Sequence, residues 1–486
     1  MKRDIGPRKV APRAPAALLL AAVLLVAGCL GAPAPPDEGS DPPGGSPPPG
    51  GPPPSTPGPS QPTRPGPSSP SSPPVDPNEA PLLPPVARAV VAVIDTGVNP
   101  YHLEFRSDAP DSRRHPSEYI AGYPADAEAL PLTLDGGSYD GALAADAEVW
   151  ERVERGKLYW IPGTKIVGLI SIAPEDDSLS QDDVIPGLDE NGHGTMTASR
   201  AVGNTVGACP ACHLVVIGGI GAASGAWAAA QPWIDVQSNS WVSIGATDSA
   251  TRAAYAKAAA SGQLVFAAAG NGLAGILGGV GEPTWIRTPA GAPGVIAVGG
   301  HDNGKLTPWS GSVPHVVADA CGSPSAGHRS VDRVANEASG TSGATPFVAG
   351  AAARAILEAR SILGDPRVAH AGALASGSPT AAGPLGDGQL TVDELVRALF
   401  RTADPAPRAT PRDGAACDGS IGSHMTLPAG AGLVPSDLVR YYFQGYGAVN
   451  DDTIGKLLAV VAGDAKEPER ADADAFYALD GFARDL

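Results

Sequence analysis

The chain has 486 residues, with 33 Lys and Arg against 51 Asp and Glu, which gives a formal net charge of −18. This balance excludes the basic surface that contact with a nucleic-acid backbone requires, so we predict no nucleic-acid partner. Residues 31–85 contain 23 of the 52 prolines and cannot form a packed core. About 400 residues remain, which is enough for one large domain.

The N-terminus has the pattern of an export signal. Residues 1–15 carry five basic side chains, and the apolar run AALLLAAVLLVAG follows and ends at Cys29. This run is shorter than the ~20 residues that a transmembrane helix needs. The small residues before Cys29 resemble a bacterial-type lipobox, so we expect a signal peptide over residues 1–29 and a lipid on Cys29. The protein would then be anchored in the cell membrane, on its outer face; secretion without a lipid, or an uncleaved anchor, is the alternative.

The segment that follows is rich in Pro, Gly and Ser. Such a composition buries too little apolar surface to offset the entropy of ordering, so we predict a disordered linker over residues 30–85. We assign residues 86–465 to the folded domain and residues 466–486 to a C-terminal tail.

From residue 86 onward, continuous apolar runs alternate with Ala-rich stretches of helical period. The predicted strands are 88–98, 165–172, 213–220, 234–241, 263–271 and 294–300. The predicted helices are 195–203, 249–262, 344–363 and 391–402. This alternation predicts an α/β fold with a doubly wound, mainly parallel sheet and helices on both faces. Because such sheets bind ligands beyond the carboxyl ends of their strands, the residues that follow each strand are the candidates for function.

Three polar residues lie at the edges of these elements in an order that suggests nucleophilic catalysis. Asp95 ends the first strand, His193 opens a helix in NGHGT, and Ser342 opens another helix in SGTSGATP. Each one alone is weak evidence, since Asp is common in turns and Ser is common at helix N-caps. Together they match a serine nucleophile, a histidine base and a carboxylate that orients the base. The G-x-S-x-G elbow of α/β-hydrolase esterases and the G-x-G-x-x-G of dinucleotide enzymes are both absent from these positions.

These segments resemble those of the subtilisin-like serine proteases, the subtilases of peptidase family S8. The resemblance covers about residues 88–450 and is carried by VIDTGVN, DENGHGT, AAAGN, TPAGAPGVIAVGG, SGTSGATPFVAG and GYGAVN. It implies a subtilisin-like fold and a serine endopeptidase (EC 3.4.21) that hydrolyses peptide bonds through an acyl-enzyme. Asp95, His193 and Ser342 would be the catalytic triad. The Asn271 side chain and the Ser342 backbone N–H would hold the oxyanion.

The resemblance also implies that an extended protein or peptide substrate lies between two segments at strand ends. These segments are Ser240, Trp241 and Val242 on one side, and Ala268, Ala269 and Gly270 on the other. The small residues of the second segment favour an open primary pocket, whereas Val242 replaces a common glycine and would crowd the substrate. Gly343 replaces a common methionine, so we expect a small gap beneath the nucleophile and a slower or less stable enzyme. The alternative is a catalytically weak or inactive subtilase-fold protein that acts in binding or as a scaffold.

Four cysteines remain if Cys29 carries a lipid. In an oxidising compartment we predict a local disulfide between Cys209 and Cys212, and a longer one between Cys321 and Cys417. A zinc site is the weaker interpretation, because a structural zinc needs four ligands and C-x-x-C supplies two.

We predict no required cofactor or metal, and we expect a monomer. Structural calcium is left open, because one acidic stretch could supply oxygen ligands, although it lacks EF-hand spacing and such stretches are usually solvated. Its residues are Glu175, Asp176, Asp177, Asp182, Asp183, Asp189 and Glu190. The wide spacing of Asp95 and His193 indicates an insertion at about 106–164. Its aromatic residues Trp150, Tyr159 and Trp160 could form a lid, but we favour a satellite core.

Overall fold

The structure is a computed structural model of the whole chain. It describes residues 87–172, 188–243, 249–271, 286, 288–302, 305–306, 310, 314–365, 373–377, 385–405 and 445–471. The predicted signal peptide with Cys29, the linker and most of the acidic stretch lie outside the described residues.

Fourteen strands are present in the described residues. They are β1 (Val90–Asp95), β2 (Glu128–Ala129), β3 (Tyr159–Trp160), β4 (Ile166–Ser171), β5 (His213–Gly218), β6 (Val236–Asn239), β7 (Leu264–Ala268), β8 (Ile296–Asp302), β9 (Lys305–Leu306), β10 (Val316–Asp319), β11 (Ser323–Ala326), β12 (Val334–Ala338), β13 (Ala373–Ser376) and β14 (Gln389–Thr391). The α-helices are α1 (Tyr139–Ala145), α2 (Ala147–Trp150), α3 (His193–Val202), α4 (Ala222–Ala229), α5 (Ser249–Ala260), α6 (Gly340–Leu363), α7 (Val392–Thr402) and α8 (Asp451–Ala462). Short 3₁₀ helices occupy Leu103–Phe105 and Pro116–Glu118. None of these described helices combines the length and the apolar character that crossing a membrane would require.

The fold is α/β and its main sheet is mainly parallel, as the sequence predicted. Its strand order is β10-β8-β7-β6-β1-β5-β4-β3-β2, with β9 paired to β8. The seven strands from β10 to β4 are parallel to their neighbours, whereas β3 pairs with β4, and β9 with β8, in antiparallel fashion. Two antiparallel pairs, β11–β12 and β13–β14, stand apart from this sheet.

Both faces of the sheet are covered, because alternate residues of each buried strand enter two different cores. In β1, Val91 and Val93 face the core that contains α3 and α6, whereas Val90 and Ile94 face the core that contains α4 and α5. All six residues of β1 are buried, which explains its continuous apolar run.

The order in which successive strands are added to the sheet reverses at β1. Strands β4 and β5 lie on one side of β1, and β6, β7 and β8 follow on the other side. Ile94 of β1 is in register with Asn239 of β6, so the next residues along the chain, Asp95 and Ser240, lie at neighbouring positions at the carboxyl ends of the two strands. This edge is the topological switch point at which doubly wound sheets bind ligands.

The aromatic residues of the 106–164 insertion belong to the two main cores, so the predictions of a lid and of a satellite core were both wrong. Tyr159 and Trp160 are consecutive in β3 and therefore point into opposite cores. The Trp150 indole N–H donates to the Tyr101 hydroxyl at 2.8 Å, and that hydroxyl donates to Asp146 at 2.9 Å. The insertion extends the sheet and the core together.

The first residues of the predicted C-terminal tail are packed against the domain. Arg470 is 9% exposed, and its guanidinium donates to the carbonyl oxygens of Ala403 and Tyr446, both at 2.9 Å. Glu467 pairs with Arg397 at 3.2 Å and with Arg401 at 3.1 Å. The domain therefore extends at least to residue 471, beyond the boundary that we predicted at residue 465.

Candidate active site

Asp95 and His193 form a buried pair at the switch point. Asp95 is the last residue of β1, and His193 is the first residue of α3. His193 Nδ1 lies 2.7 Å from Asp95 Oδ1. The Asp95 carboxylate also accepts the Thr96 backbone N–H at 2.8 Å and the Thr197 hydroxyl at 3.1 Å. These donors fix the carboxylate, which in turn orients the imidazole and leaves its Nε2 edge for chemistry.

The surroundings of His193 favour its protonated form. Burial works to lower the pKa of the imidazole, but the negative charge and hydrogen bond of Asp95 work in the opposite direction. The charge of Asp189 adds to the second effect, and the net result is a pKa above the usual 6.5. An imidazole in this setting can accept a proton and hold the resulting charge next to a carboxylate.

The close packing of α3 against β1 depends on glycine. A Cβ at Gly194 would lie 2.1 Å from the carbonyl oxygen of Gly97, in the turn after β1. Gly192 has φ +87°, a conformation that favours glycine, and a Cβ there would meet the His328 ring at 2.5 Å. Gly194 therefore lets the start of α3 approach the turn after β1, and Gly192 lets it pass beside the His328 ring.

Ser342 lies in the first turn of α6. The helix begins at Gly340 after the N-cap Ser339, and Gly343 N–H is bonded back to the Ser339 carbonyl at 3.2 Å. The amide of Ser342 precedes it among the first N–H groups of the helix, which have no partner within the helix. These N–H groups and the positive end of the helix dipole favour negative charge beside Ser342.

Pro346 lies in the second turn of α6, because the helix begins at Gly340, four residues earlier than the predicted 344–363. A proline there has no N–H to donate to the carbonyl four residues earlier, which is that of Ser342. The Ser240 hydroxyl donates to this carbonyl at 3.0 Å instead. The segment after β6 is thereby joined to the start of α6.

The Ser342 hydroxyl donates to the carbonyl oxygen of Ser240 at 3.1 Å. Among the described residues, no hydrogen bond joins this hydroxyl to His193. The structure thus brings Asp95 to His193 and brings Ser342 to Ser240, which follows the strand next to β1. Helices α3 and α6 pack against each other, and His193 and Ser342 are each 8% exposed.

Asn271 lies against the N-terminus of α6. Its Oδ1 accepts the Thr341 backbone N–H at 2.8 Å and the Thr341 hydroxyl at 2.9 Å. These two bonds set the orientation of the amide and leave Nδ2 as its donor group. Gly340 permits this contact, because its φ is +74° and a Cβ there would lie 2.7 Å from Asn271 Nδ2. The side-chain amide and the α6 N–H groups are therefore neighbours.

The two segments predicted to flank a substrate follow adjacent strands. Trp241 is largely buried, as are Ala268 and Ala269, and the Ala269 N–H is bonded to the Val298 carbonyl at 2.9 Å. A Cβ placed on Gly270 would lie 3.7 Å from Val242 Cγ1. Val242 therefore stands opposite Gly270, where it narrows the space between the two segments.

The gap that we expected beneath the nucleophile is not present. A Cβ at Gly343 would lie 3.1 Å from the carbonyl carbon of Ala338 and 3.3 Å from its Cβ. The backbone at the end of β12 fills this space, so the glycine reflects close packing between β12 and α6.

A disulfide joins Cys209 and Cys212, whose Cα atoms are 5.4 Å apart. Cys321 is disulfide-bonded as well and is buried. Its predicted partner Cys417 lies outside the described residues, so the pairing of Cys321 with Cys417 stays a prediction.

No cluster of three or more potential metal ligands occurs in the part of the chain that the structure describes. Of the acidic stretch, Asp189 and Glu190 fall within that part, and structural calcium stays an open prediction. Asp189 is 1% exposed and accepts three hydrogen bonds beside His193, a role that the sequence analysis missed by grouping it with solvated acids. No local pattern signals this role, because a capping side chain is expected at the N-cap position, which is Gly192 here.

Comparison with known proteins identifies the family of the chain. The sequence model of the subtilase family, Peptidase_S8, matches residues 87–371, which is more than half of the chain. The chain therefore belongs to the subtilase family, a family of serine peptidases. Among solved structures, it is similar to the protease domain of PatA, determined as a serine-to-alanine mutant. The match has 17% identity and a TM-score of 0.39, and covers 78% of this chain and 98% of that one. A search of curated protein sequences gives no significant match.

Proposed function

We propose that the protein is a serine endopeptidase in which Asp95, His193 and Ser342 form the catalytic triad. The buried Asp95–His193 pair, in which Oδ1 and Nδ1 lie 2.7 Å apart, is the observation on which the proposal rests. A serine hydroxyl is a weak nucleophile until a base takes its proton, and an imidazole oriented by a carboxylate is suited to that task.

The reaction begins when the Ser342 hydroxyl leaves the Ser240 carbonyl. A rotation about the Cα–Cβ bond of Ser342 turns Oγ toward His193 Nε2, which accepts the hydroxyl proton while Oγ attacks the carbonyl carbon of the peptide bond. His193 then gives this proton to the amine that leaves, and an acyl-enzyme remains on Ser342. Water, deprotonated by the same imidazole, hydrolyses the ester and regenerates the hydroxyl.

The oxyanion of each tetrahedral intermediate lies beside α6. Asn271 Nδ2 and the Ser342 backbone N–H are the donors, and the two Thr341 bonds to Asn271 Oδ1 hold the amide in place before the charge develops. Donors that are already in position do not have to reorganise during the reaction, so they lower the barrier.

An extended protein or peptide substrate lies between residues 240–242 and 268–270 and forms main-chain hydrogen bonds along them. Because Val242 faces Gly270, the passage beside them is narrow, and we propose a preference for small or unbranched side chains there. We further propose that the enzyme acts as a monomer on the outer face of the cell membrane, held by a lipid on Cys29. Fatty-acid incorporation in the producing cell, absent from Cys29→Ala, tests the anchor.

The activity is tested with the purified full-length protein and a fluorophosphonate probe, which reacts with activated serines. We expect wild type and the exposed-site control Ser117→Ala to be labelled, and Ser342→Ala to remain unlabelled although folded. Digestion of a peptide library by the same three proteins then gives the cleavage preference. A folded wild type that neither reacts with the probe nor cleaves the library would refute the proposal and favour a binding or scaffold protein.

A further inference from the structure

The N-terminus of α3 has no capping side chain of its own, because its N-cap is Gly192. The Asp189 carboxylate takes this role from three residues away. Its Oδ2 accepts the Thr195 N–H at 2.6 Å, and its Oδ1 accepts the Gly192 N–H at 2.9 Å. Asp189 therefore fixes the backbone on both sides of His193.

The same carboxylate also holds the residue that follows Asp95. The Thr96 hydroxyl donates to Asp189 Oδ1 at 2.8 Å and accepts the Gly194 N–H at 2.9 Å. The Thr96 backbone N–H donates to Asp95 Oδ1, the oxygen that contacts His193 Nδ1. One buried group thus connects the end of β1 with the first turn of α3, and these are the two elements that supply the Asp95–His193 pair.

A neutral cap would satisfy the N–H groups of α3, so the charge of Asp189 calls for a separate explanation. The carboxylate is 1% exposed, and among the described residues it makes no salt bridge closer than 4 Å. A buried negative charge near an imidazole stabilises the protonated ring. The other charged or titratable groups around Asp189, His193, Tyr139 and His328 are Asp95, Asp140, Glu190, Glu337, Arg329 and Arg333. Both arginines are exposed.

We propose that Asp189 is a positioning residue of the catalytic site, which aligns His193 with Asp95 and supports the imidazolium that forms during acyl transfer. This inference rests on the proposed peptidase function. Asp189 makes two contributions. Its hydrogen bonds, directly and by way of the Thr96 hydroxyl, hold His193 in position relative to Asp95, and its charge favours the protonated form of His193.

Three variants of the full-length protein distinguish these contributions. Asp189→Asn removes the charge at nearly constant shape, Thr96→Val removes the hydroxyl link and keeps the charge, and Thr96→Ser restores the link. Glu190→Gln is the matched control, because it removes an exposed carboxylate from the adjacent residue. The rate of fluorophosphonate labelling, normalised to the titrated fraction of active protein, is measured from pH 5 to 9.

We expect Asp189→Asn to be labelled about tenfold more slowly and its acid-limb midpoint to fall by about 0.5–1 pH unit. Thr96→Val should lose rate without a shift of the midpoint, and Thr96→Ser and Glu190→Gln should match wild type. Unchanged rates and midpoints in Asp189→Asn would overturn the proposal. If that variant does not fold, a wild-type rate for Thr96→Val overturns it instead. A wild type without labelling would show that the proposed function itself has failed.

Discussion

The Ser240 hydroxyl donates to the Ser342 carbonyl oxygen, and the Ser342 hydroxyl donates to the Ser240 carbonyl oxygen. The first of these bonds, at 3.0 Å, occupies the carbonyl that Pro346 leaves without a donor. Because Pro346 leaves this carbonyl free, the Ser240 hydroxyl can join the turn that carries Ser342 to the segment after β6.

Replacing Ser240 by Ala should impair catalysis more than folding. The Ser342 carbonyl would lose its buried donor, which costs about 1–3 kcal/mol, and the first turn of α6 would be less firmly held. We expect a fall of about tenfold in labelling rate. Ser238→Ala is the matched control, since its buried hydroxyl in β6 has no partner among the described residues. Equal labelling rates for the two variants would contradict the positioning role of Ser240.

Gly340→Ala should lower activity through Asn271. Both Gly340 and Gly364 have φ near +70° at the two ends of α6, so alanine at either position carries a similar backbone strain of about 1 kcal/mol. A Cβ at Gly364 meets nothing within 4 Å, whereas a Cβ at Gly340 meets the Asn271 amide. We expect both variants to lose similar stability in chemical denaturation. Only Gly340→Ala should lose labelling rate, by about 10²-fold.

Arg360→Met should destabilise the fold strongly. Arg360 and Asp235 are fully buried, their guanidinium and carboxylate lie 2.7 Å apart, and Arg360 also donates to the carbonyl oxygens of Arg88 and Leu374. Removing one partner leaves a buried carboxylate uncompensated, at a cost of about 3–5 kcal/mol in the free energy of unfolding. Arg333→Met, in an exposed pair with Glu337, should change that free energy by less than about 1 kcal/mol. A similar loss in both variants would show that burial does not determine the effect.

His315 should make the protein less stable in acid. Burial lowers its pKa from 6.5 to about 4, so between these pH values the unfolded chain binds a proton that the folded chain does not. The free energy of unfolding must therefore fall as the pH decreases from 6.5 to 4, by about 2 kcal/mol at pH 5.

His315→Asn keeps an acceptor near Nδ1 for the Ala297 N–H, which now donates to it at 2.9 Å, but cannot take up this proton. The difference in stability between pH 7 and pH 5, measured by chemical denaturation, should be smaller in the variant. The difference between pH 8 and pH 7 should be the same in both proteins. If His315→Asn loses as much free energy of unfolding between pH 7 and pH 5 as wild type does, groups other than His315 cause the acid sensitivity.

The sequence predicted the central strands well, because β1 and its neighbours are short, continuous apolar runs, a pattern typical of strands that are buried on both faces. It did not predict α4, which has eight residues and is too short to be stable as an isolated helix, or β12, whose residues are largely exposed. Of the candidate site, Asp95 and His193 lie together at the ends of the elements that the sequence predicted. The partner of the Ser342 hydroxyl and the cap supplied by Asp189 depend on three-dimensional packing, to which local patterns are insensitive.

The guanidinium of Arg470 sets a limit to how far the C-terminus can be shortened. It donates hydrogen bonds to the carbonyl oxygen of Ala403, which follows α7, and to that of Tyr446, which precedes α8. One cation that lies after both helices in the chain therefore joins these two segments. An exopeptidase that leaves residue 471 as the C-terminus would keep these hydrogen bonds intact. Removal of two more residues would take away Arg470 and with it the donor to these carbonyl oxygens, which would weaken the contact between the end of α7 and the start of α8.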